Sequence, residues 1–565
     1  MAEYAPPIAR TRREQMFFRL TDAEIERLRR FGSSRHFADG DHLVSAGEVG
    51  VGMIIILTGD VVVTRRDGLG HDDLLTTYRP SEFIAEVNQL AGRASFIDAH
   101  AKGEVEALCI SPANLRALLV AEAELGERIM RALILRRVGL IESGAGGPTL
   151  IGSLKHPGVL RLQNFLTRNG VPYRVLDPDV EHDADSLIAS VKPSPEELPL
   201  VLCADGALLR NPTEHELAER VGLAPRLDPD HRYDVAVVGA GPAGLATAVY
   251  AASEGLSVLV IEAQTYGGQA GASSRIENYF GFPTGITGQA LVSRAFVQAQ
   301  KFGAEVIIPV VVKDLDCTSA QDFGLRLSDG ATIRARTVVI ASGAQYRRPS
   351  FAGFEAAEQN GVHYWASPAE AKLCTGMEVA LVGGGNSAGQ AAVFLATKGA
   401  KVSMLVRGPS LAATMSSYLI ERIAAQPNIE LLTQTEIERV DVDEAGALCR
   451  IVWRDKRTDV ATEHALRHLF LFIGADPCVA WLRRCGVALD AKGFVLTGED
   501  ATTGERARPT LMTSVRRVFA IGDVRAGSTK RVAAAVGEGA AVVAQIHACL
   551  AQRTDVPAQP EGVPA

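Results

Sequence analysis

The sequence predicts an α/β protein: two doubly wound units with parallel sheets, preceded by an all-β jelly-roll unit with helices and a small α/β unit. Three observations carry that prediction. Two glycine-rich turns, VVGAGPAG (Val237–Gly244) and VGGGNSAG (Val382–Gly389), each follow an apolar strand and open a helix rich in small residues. Short apolar runs with glycine punctuation, such as MIIILTGDVVVTRR, recur near the N-terminus at the spacing of antiparallel strands. From about Thr149 to Gly222, helix and strand patterns alternate.

At ~150 residues per domain, the 565 residues suit about four domains. A hydrophobic share of 47% and a charged share of 22% are those of a globular protein and exclude wholesale disorder. The net charge of −8 argues against a general nucleic-acid or anionic-membrane binder. Eight cysteines (Cys109, Cys203, Cys317, Cys374, Cys449, Cys478, Cys485, Cys549) are scattered, with no C-x-x-C and no zinc-site spacing. That pattern predicts reduced thiols, a cytoplasmic location and no metal. No apolar segment follows the basic N-terminal residues, so no signal peptide is expected. The uncharged run Val235–Ser253 is long enough for a membrane span, but its glycines fall in a nucleotide-binding pattern and the membrane reading is rejected.

The first block, 1–142, opens with the amphipathic helix LTDAEIERLRRF, continues in short strands and closes on a helix expected from Ala113 to Leu140. Gly- and Pro-rich links, Ser143–Pro148 and Leu223–His231, flank the second block, 149–222. Its expected order is helix (VLRLQNFLTRNG), strand (YRVLD), helix (ADSLIASV), strand (LPLVLCADG), strand (ALLR) and helix (EHELAERVG). The tail, 553–565, is expected to be disordered.

In the first glycine turn, Gly239, Gly241 and Gly244 form G-x-G-x-x-G in a Rossmann-like strand–turn–helix, with Ala243 inside it. The first glycine permits the tight turn, the second lets backbone approach a pyrophosphate, and the third lets helix pack on strand. Glu262 ends the next strand eighteen residues past Gly244, where a carboxylate accepts from ribose hydroxyls. The second turn reads G-x-G-x-x-A, with Gly383, Gly385, Asn386, Ser387 and Ala388. Its following strand ends at Arg407 with no acid. An arginine there suits the 2′-phosphate of NADPH, or is an ordinary solvated cation.

The last three hundred residues resemble the low-molecular-weight thioredoxin reductases and their flavoprotein relatives. The stretches that carry the resemblance are YGGQ (Tyr266–Gln269), RIENYFGFPTGITG (Arg275–Gly288), VVIASGAQYRR (Val338–Arg348), LFIGADP (Leu471–Pro477) and VFAIGDVR (Val518–Arg525). The resemblance implies FAD held by Gly239, Gly241, Gly244, Glu262, Gly268, Gln269, Asn278, Gly522 and Asp523. It also implies an NADPH domain (349–472) inserted between the two parts of a split FAD domain (231–348 and 473–552), and a homodimer. Where the family has Arg-Gln after the aspartate turn, this chain has Lys530 and Arg531. At the family's C-x-x-C the chain has Trp365 and Pro368, in HYWASPAEAKLC, so a dithiol relay by the family route is excluded. Trp365 stacks beside the flavin or packs at a domain interface; Cys374 is read as a small buried residue.

The N-terminal block resembles a cyclic nucleotide-binding domain of the catabolite-activator type. Its phosphate cassette, FIAEVNQLAGRASFIDA, keeps Glu86 but places Ser95 at the family's arginine, with Arg93 two residues early. An anion there lacks its guanidinium, which favours a degenerate domain over a ligand sensor. No helix-turn-helix follows it, so DNA binding has no support. The second block resembles a thioredoxin or glutaredoxin domain, with Leu198-Pro199 as its cis-proline turn and His156-Pro157-Gly158-Val159 in place of C-x-x-C. The combined expectation is an FAD-dependent NADPH oxidoreductase whose electrons leave the flavin for a small electron-carrier protein, a quinone or oxygen. The alternatives are a disulfide reductase using another cysteine, such as Cys374, and a non-turnover redox sensor gated by the N-terminal domains.

Overall fold

The structure is a computed structural model that describes residues 7–551, except 48–51, 67–71, 86–89, 91–94, 96, 144–146, 155, 181–187, 190, 204–205, 226, 274, 320, 359, 367, 445 and 502–507. Glu86, Arg93, most of the helix expected at ADSLIASV and the tail lie outside the described residues.

The N-terminal unit begins with α1 (Pro7–Met16) and α2 (Asp22–Leu28). A reciprocal capping box between Thr21 and Glu24 starts α2. Its sheet runs β1 (Ser33–Phe37), β2 (His42–Val44), β3 (Met53–Arg66), β4 (Asp72–Tyr78), β5 (Phe83–Ile84) and β6 (Asp98–Ile110), in the order β1-β6-β3-β4 with all pairs antiparallel. The closing helix is two helices, α3 (Pro112–Ala121) and α4 (Ala123–Ser143). Glu122 leaves the helical region at φ −105° and ψ 82°, and its carboxylate accepts from Arg27 at 3.1 Å and Arg30 at 2.7 Å. The single helix expected over Ala113–Leu140 is therefore broken by an ion-paired corner.

The second unit runs β7 (Thr149–Ile151), α5 (Pro157–Arg168), β8 (Arg174–Leu176), β9 (Leu200–Leu202), β10 (Leu208–Arg210) and α6 (Glu214–Arg220). Its sheet order is β10-β9-β7-β8, with β7 and β8 parallel and the other pairs antiparallel. The Leu198-Pro199 peptide is cis. This is the strand order of a thioredoxin-like fold. Its apolar residues Leu162, Phe165 and Leu166 belong to one continuous core with Tyr266, Val292 and Phe296 of the next unit.

That next unit holds β11 (Arg232–Val238), α7 (Pro242–Ser253), β12 (Val258–Ile261), α8 (Gly268–Gly271), α9 (Gly288–Lys301), β13 (Glu305–Ile307), β14 (Val312–Asp316), β15 (Phe323–Leu327), β16 (Thr332–Ile340) and β17 (Ala344–Tyr346). The inserted unit then follows. It comprises α10 (Phe354–Ala357), β18 (Val362–His363), α11 (Pro368–Leu373), β19 (Glu378–Val382), α12 (Asn386–Thr397), β20 (Lys401–Val406), α13 (Ser417–Ala424) and β21 (Ile429–Thr433). It is completed by β22 (Thr435–Val442), β23 (Leu448–Asp455), β24 (Val460–His464) and β25 (Leu469–Leu471). The chain returns through β26 (Ala475–Pro477) to β27 (Val518–Ala520) and α14 (Val532–Ala551).

The first sheet runs β13-β12-β11-β16-β15-β14, and β27 adds to β16 in parallel across the insertion. The inserted sheet runs β18-β25-β19-β20-β21, all parallel. The two units are joined by an antiparallel ribbon of β17 and β26 only three residue pairs long.

One further expectation needs correction. Cys317 and Cys485 form a disulfide, with Cα atoms 5.3 Å apart and a sequence separation of 168. The two halves of the split unit meet there, closing the chain across the whole insertion. The eight cysteines are thus six thiols and one pair. The run Val235–Ser253 becomes strand, turn and helix. Among the described residues, α14 alone is long and apolar enough to cross a membrane by length and composition. It is packed on α7, where Gly539 is so close to the Ala243 carbonyl that a Cβ would not fit.

Candidate functional site

The first cradle lies at the carboxyl ends of β11, β12 and β16. Gly239 has φ +108°, and a Cβ there would stand 2.7 Å from the Ala341 carbonyl carbon. Gly244 is pressed against the Gly239 carbonyl and Val237, so a methyl would separate helix from strand. At Gly241 the opposite holds: a Cβ would meet nothing within 4 Å. Gly241 caps α7 with no side-chain hydrogen bond. The first-turn amides of a twelve-residue helix therefore point into open space beside a bare Cα, which is what a pyrophosphate needs.

Glu262 accepts from the Ala240 amide at 2.7 Å and the Gln264 amide at 3.0 Å. Burial pushes its carboxyl up from the ordinary range, against the backbone donors that hold it down. The Ala263 and Thr265 amides also bond to it, so the carboxylate is held in place at the end of β12, where ribose hydroxyls are expected. Gly268, at φ +53°, brings the YGGQ turn within 3.3 Å of Gly241 by its would-be Cβ. Gln269 donates to the Ala344 carbonyl at 2.5 Å and ties that turn to the ribbon. Asn278 is exposed on the flavin-side loop. These residues fit the adenosine and pyrophosphate of a bound FAD.

The second flavin segment is braced from behind. The Gly522 amide donates to Glu538 at 2.6 Å, and Glu538 also takes Arg525 at 2.5 Å. Neither partner was singled out from the sequence, because both act over a helix turn fixed only in the fold. Burial pushes the Asp523 carboxyl up, while the Lys530 ammonium opposes that shift. Lys530 donates to the Asp523 carbonyl and to Ser528, and stands 4.5 Å from the Phe494 ring centroid. It thus closes the loop after Asp523, and Arg531 beside it is exposed.

The second cradle repeats the first. Gly383 has φ +145°, and a Cβ there would meet the Phe472 carbonyl at 2.5 Å. Gly385 has open space and caps α12 without a side-chain bond. Asn386 turns inward and accepts from the Ser416 amide at 2.7 Å, Ser387 is exposed, and Ala388 is fully buried at the helix–strand contact. Arg407 is exposed at the end of β20. These residues fit an NADPH.

The dithiol position has different chemistry. Trp365 is 36% exposed and donates from Nε1 to Glu370 at 3.1 Å; Pro368 opens α11. Cys374, on the turn after α11, is fully buried, and burial with Glu370 nearby pushes its thiol up to about 11. In the N-terminal unit, Ser95 is buried and bonded to its own loop, donating to the Ile97 carbonyl at 3.1 Å. Its hydroxyl is committed to Ile97 on both its donor and acceptor sides. Histidine 156 caps α5, and Gly158 behind it touches the cis-proline Pro199.

The comparisons agree with this geometry. Residues 34–122 match the cyclic nucleotide-binding domain model. The chain is 31% identical to a thioredoxin reductase of Peptoclostridium acidaminophilum over 321 residues, covering 55% of this chain and 95% of that protein. Thioredoxin reductase structures from T. acidophilum (TM-score 0.52) and from Lactococcus lactis in its FR conformation (TM-score 0.51) are each 25% identical. Each covers 56% of this chain and 99% of the other. Residues 233–539 match the pyridine nucleotide-disulphide oxidoreductase model, more than half the chain. The chain therefore belongs to the pyridine nucleotide-disulphide oxidoreductase family, with a cyclic nucleotide-binding domain fused at its N-terminal side.

Proposed function

We propose that this FAD- and NADPH-dependent oxidoreductase passes electrons from the flavin directly to an external acceptor, without a dithiol relay. The carrying observation is the pair Trp365 and Pro368 where the resembled reductases keep two cysteines. When bound, FAD would supply the two-electron chemistry between NADPH and the acceptor. The chain's own residues do the rest. Amides of α7 and α12 would hold the two pyrophosphates, Glu262 would take ribose hydroxyls, and Arg407 would pair with a 2′-phosphate. Cys374 serves no relay, because a buried thiol near 11 supplies almost no thiolate at neutral pH. The acceptor is a small electron-carrier protein or a small molecule, and the enzyme works as a cytoplasmic homodimer.

A second reading, a disulfide reductase using other cysteines, is favoured by the relatives' names and by the Cys317–Cys485 pair. Anaerobic NADPH titration followed by alkylation and mass mapping tests both. The first reading expects one NADPH per flavin and no newly alkylated cysteine pair. Uptake of a second equivalent with Cys317 and Cys485, or any other pair, newly alkylated would overturn it.

A further inference from the structure

The thioredoxin-like unit reaches the redox junction through the last turn of α5. That turn is anchored on the FAD-binding unit. The Arg168 carbonyl accepts from Gln289 at 3.1 Å, and the buried Asn169 amide donates to Phe165 and, at 3.5 Å, to Gln264. From the N-terminal unit, Arg137 on α4 donates to the Gly170 carbonyl at 2.5 Å. Three units thus fix the backbone from which the Arg168 side chain departs.

The guanidinium of Arg168 stands 5.8 Å from the Trp365 ring centroid, across the boundary to the NADPH unit. The indole in turn donates to Glu370. A planar cation over an indole whose far edge is held by a carboxylate is a directional contact, one that an ammonium fits less well. Burial lowers the basicity of Arg168, and Tyr346, Glu262 and Glu370 are the groups that oppose this.

A second link fixes what that contact orients. Arg422 on α13 pairs with Glu277, the neighbour of Asn278 on the flavin-side loop. Leu419 and Ile423 of the same helix share a core with Ala388 and Ala391 of α12, which carries the second glycine turn. The helix packed beside the second glycine turn is thereby tied to the flavin-side loop. The ribbon of β17 and β26 is too short to fix the orientation of the NADPH unit alone. With no dithiol on the NADPH unit, only the nicotinamide has to meet the flavin, and one fixed orientation suffices.

We propose that Arg168 is a positioning residue for hydride transfer: from the docked thioredoxin-like unit it holds the NADPH unit, through Trp365 and Glu370, with its cradle towards the flavin. This rests on the NADPH-to-FAD half-reaction and not on the route by which electrons leave. The test mixes holoenzyme with NADPH anaerobically in a stopped-flow instrument and follows flavin absorbance. In Arg168→Ala the limiting rate should fall at least fivefold, while the NADPH concentration for half-maximal rate stays within twofold. Arg168→Lys should recover part of the rate. Hydrogen exchange of the NADPH-free holoenzyme should quicken in residues 362–373 and in the ribbon for Arg168→Ala. Trp365→Leu removes the same contact from the other side should Arg168→Ala fail to retain flavin. A wild-type rate with wild-type exchange would overturn the proposal. So would loss of FAD with a normal rate per bound flavin, which makes Arg168 a cofactor ligand. A dithiol relay would defeat the proposed exit route and leave this half-reaction unchanged, so the two failures are distinguishable.

Discussion

Two substitutions one turn apart separate cofactor binding from folding. Gly241 has φ −70°, outside the left-handed region, and open space where its Cβ would be. Gly241→Ala therefore strains nothing in the protein alone, and reduced freedom of the unfolded chain stabilises the apoprotein by about 0.4–1 kcal/mol. The same methyl stands where a pyrophosphate must approach the Cα. Overpacking of that kind costs about 1–3 kcal/mol, roughly a 5- to 150-fold loss of FAD affinity. Gly244→Ala inverts the pattern. Its methyl would be driven into the Gly239 carbonyl and would stand 3.2 Å from Val237 Cγ1, neither of which can retreat. The penalty of about 1–3 kcal/mol then falls on folding itself. Urea unfolding of the apoproteins and flavin fluorescence titration measure the two quantities separately. If Gly241→Ala binds FAD as tightly as the parent, the pyrophosphate does not pass this Cα and the assignment of the cradle is wrong.

Further outcomes follow from other sites. His363 lies 3.1 Å from His468 and stacks on Phe470, and burial first, then the neighbouring histidine, lowers it to about 4. Its folded value is below the ordinary 6.5, so the unfolded chain binds the extra proton and stability is lost as pH falls from 6.5 towards 4. The loss is on the order of 3 kcal/mol, and His363→Phe should flatten that limb of a Tm-against-pH curve. Cys374 should resist iodoacetamide in the native holoenzyme at pH 8 and react only on unfolding; rapid native labelling would restore it as a relay candidate. Reducing Cys317–Cys485, or replacing both by serine, should lower the unfolding free energy by up to about 5 kcal/mol from loop closure, read as a fall in Tm with FAD content unchanged. Glu538→Ala should cost about 1.5–3 kcal/mol, because it strands both Arg525 and the Gly522 amide, and should loosen FAD as well.

What the sequence showed and what it hid divide along chain distance. The glycine turns were legible because every requirement is local: a φ that only glycine adopts readily, a bare Cα, and a helix start within five residues. The family's dithiol was equally legible as a loss, since Trp365 and Pro368 occupy fixed positions before β19. Strand β7 was missed because three residues carry no period, and it exists only because β8 and β9 pair with it. The break at Glu122 was missed because helical periodicity continues through it. Only Arg27 and Arg30, nearly a hundred residues earlier, reward the corner. Scattered cysteines predicted reduced thiols, and the prediction failed at Cys317 and Cys485 because spacing says nothing about a sheet closed across an inserted domain. Arg168 and Arg422 carry no motif at all; their importance arises where separate units meet.

The shared core of the thioredoxin-like unit decides where electrons can go next. A thioredoxin fold that ferried electrons would have to leave its neighbour and return. Leaving would expose Leu162, Phe165 and Leu166 on one side and Tyr266, Val292 and Phe296 on the other. At about 1.5–3 kcal/mol for each large apolar side chain, that separation costs on the order of 10 kcal/mol before any backbone bond is counted. The Ile308 amide bonded to the Leu223 carbonyl at 3.0 Å adds to it. At a factor of ten for roughly every 1.4 kcal/mol, the separated unit is populated at only about one part in 10 million, so the docked arrangement is the working one. Nor would there be anything to carry, since His156 and Val159 stand where the two cysteines would be. On the proposed function the unit therefore acts as a brace rather than a carrier, and an acceptor from outside the chain is the route that the titration with NADPH tests.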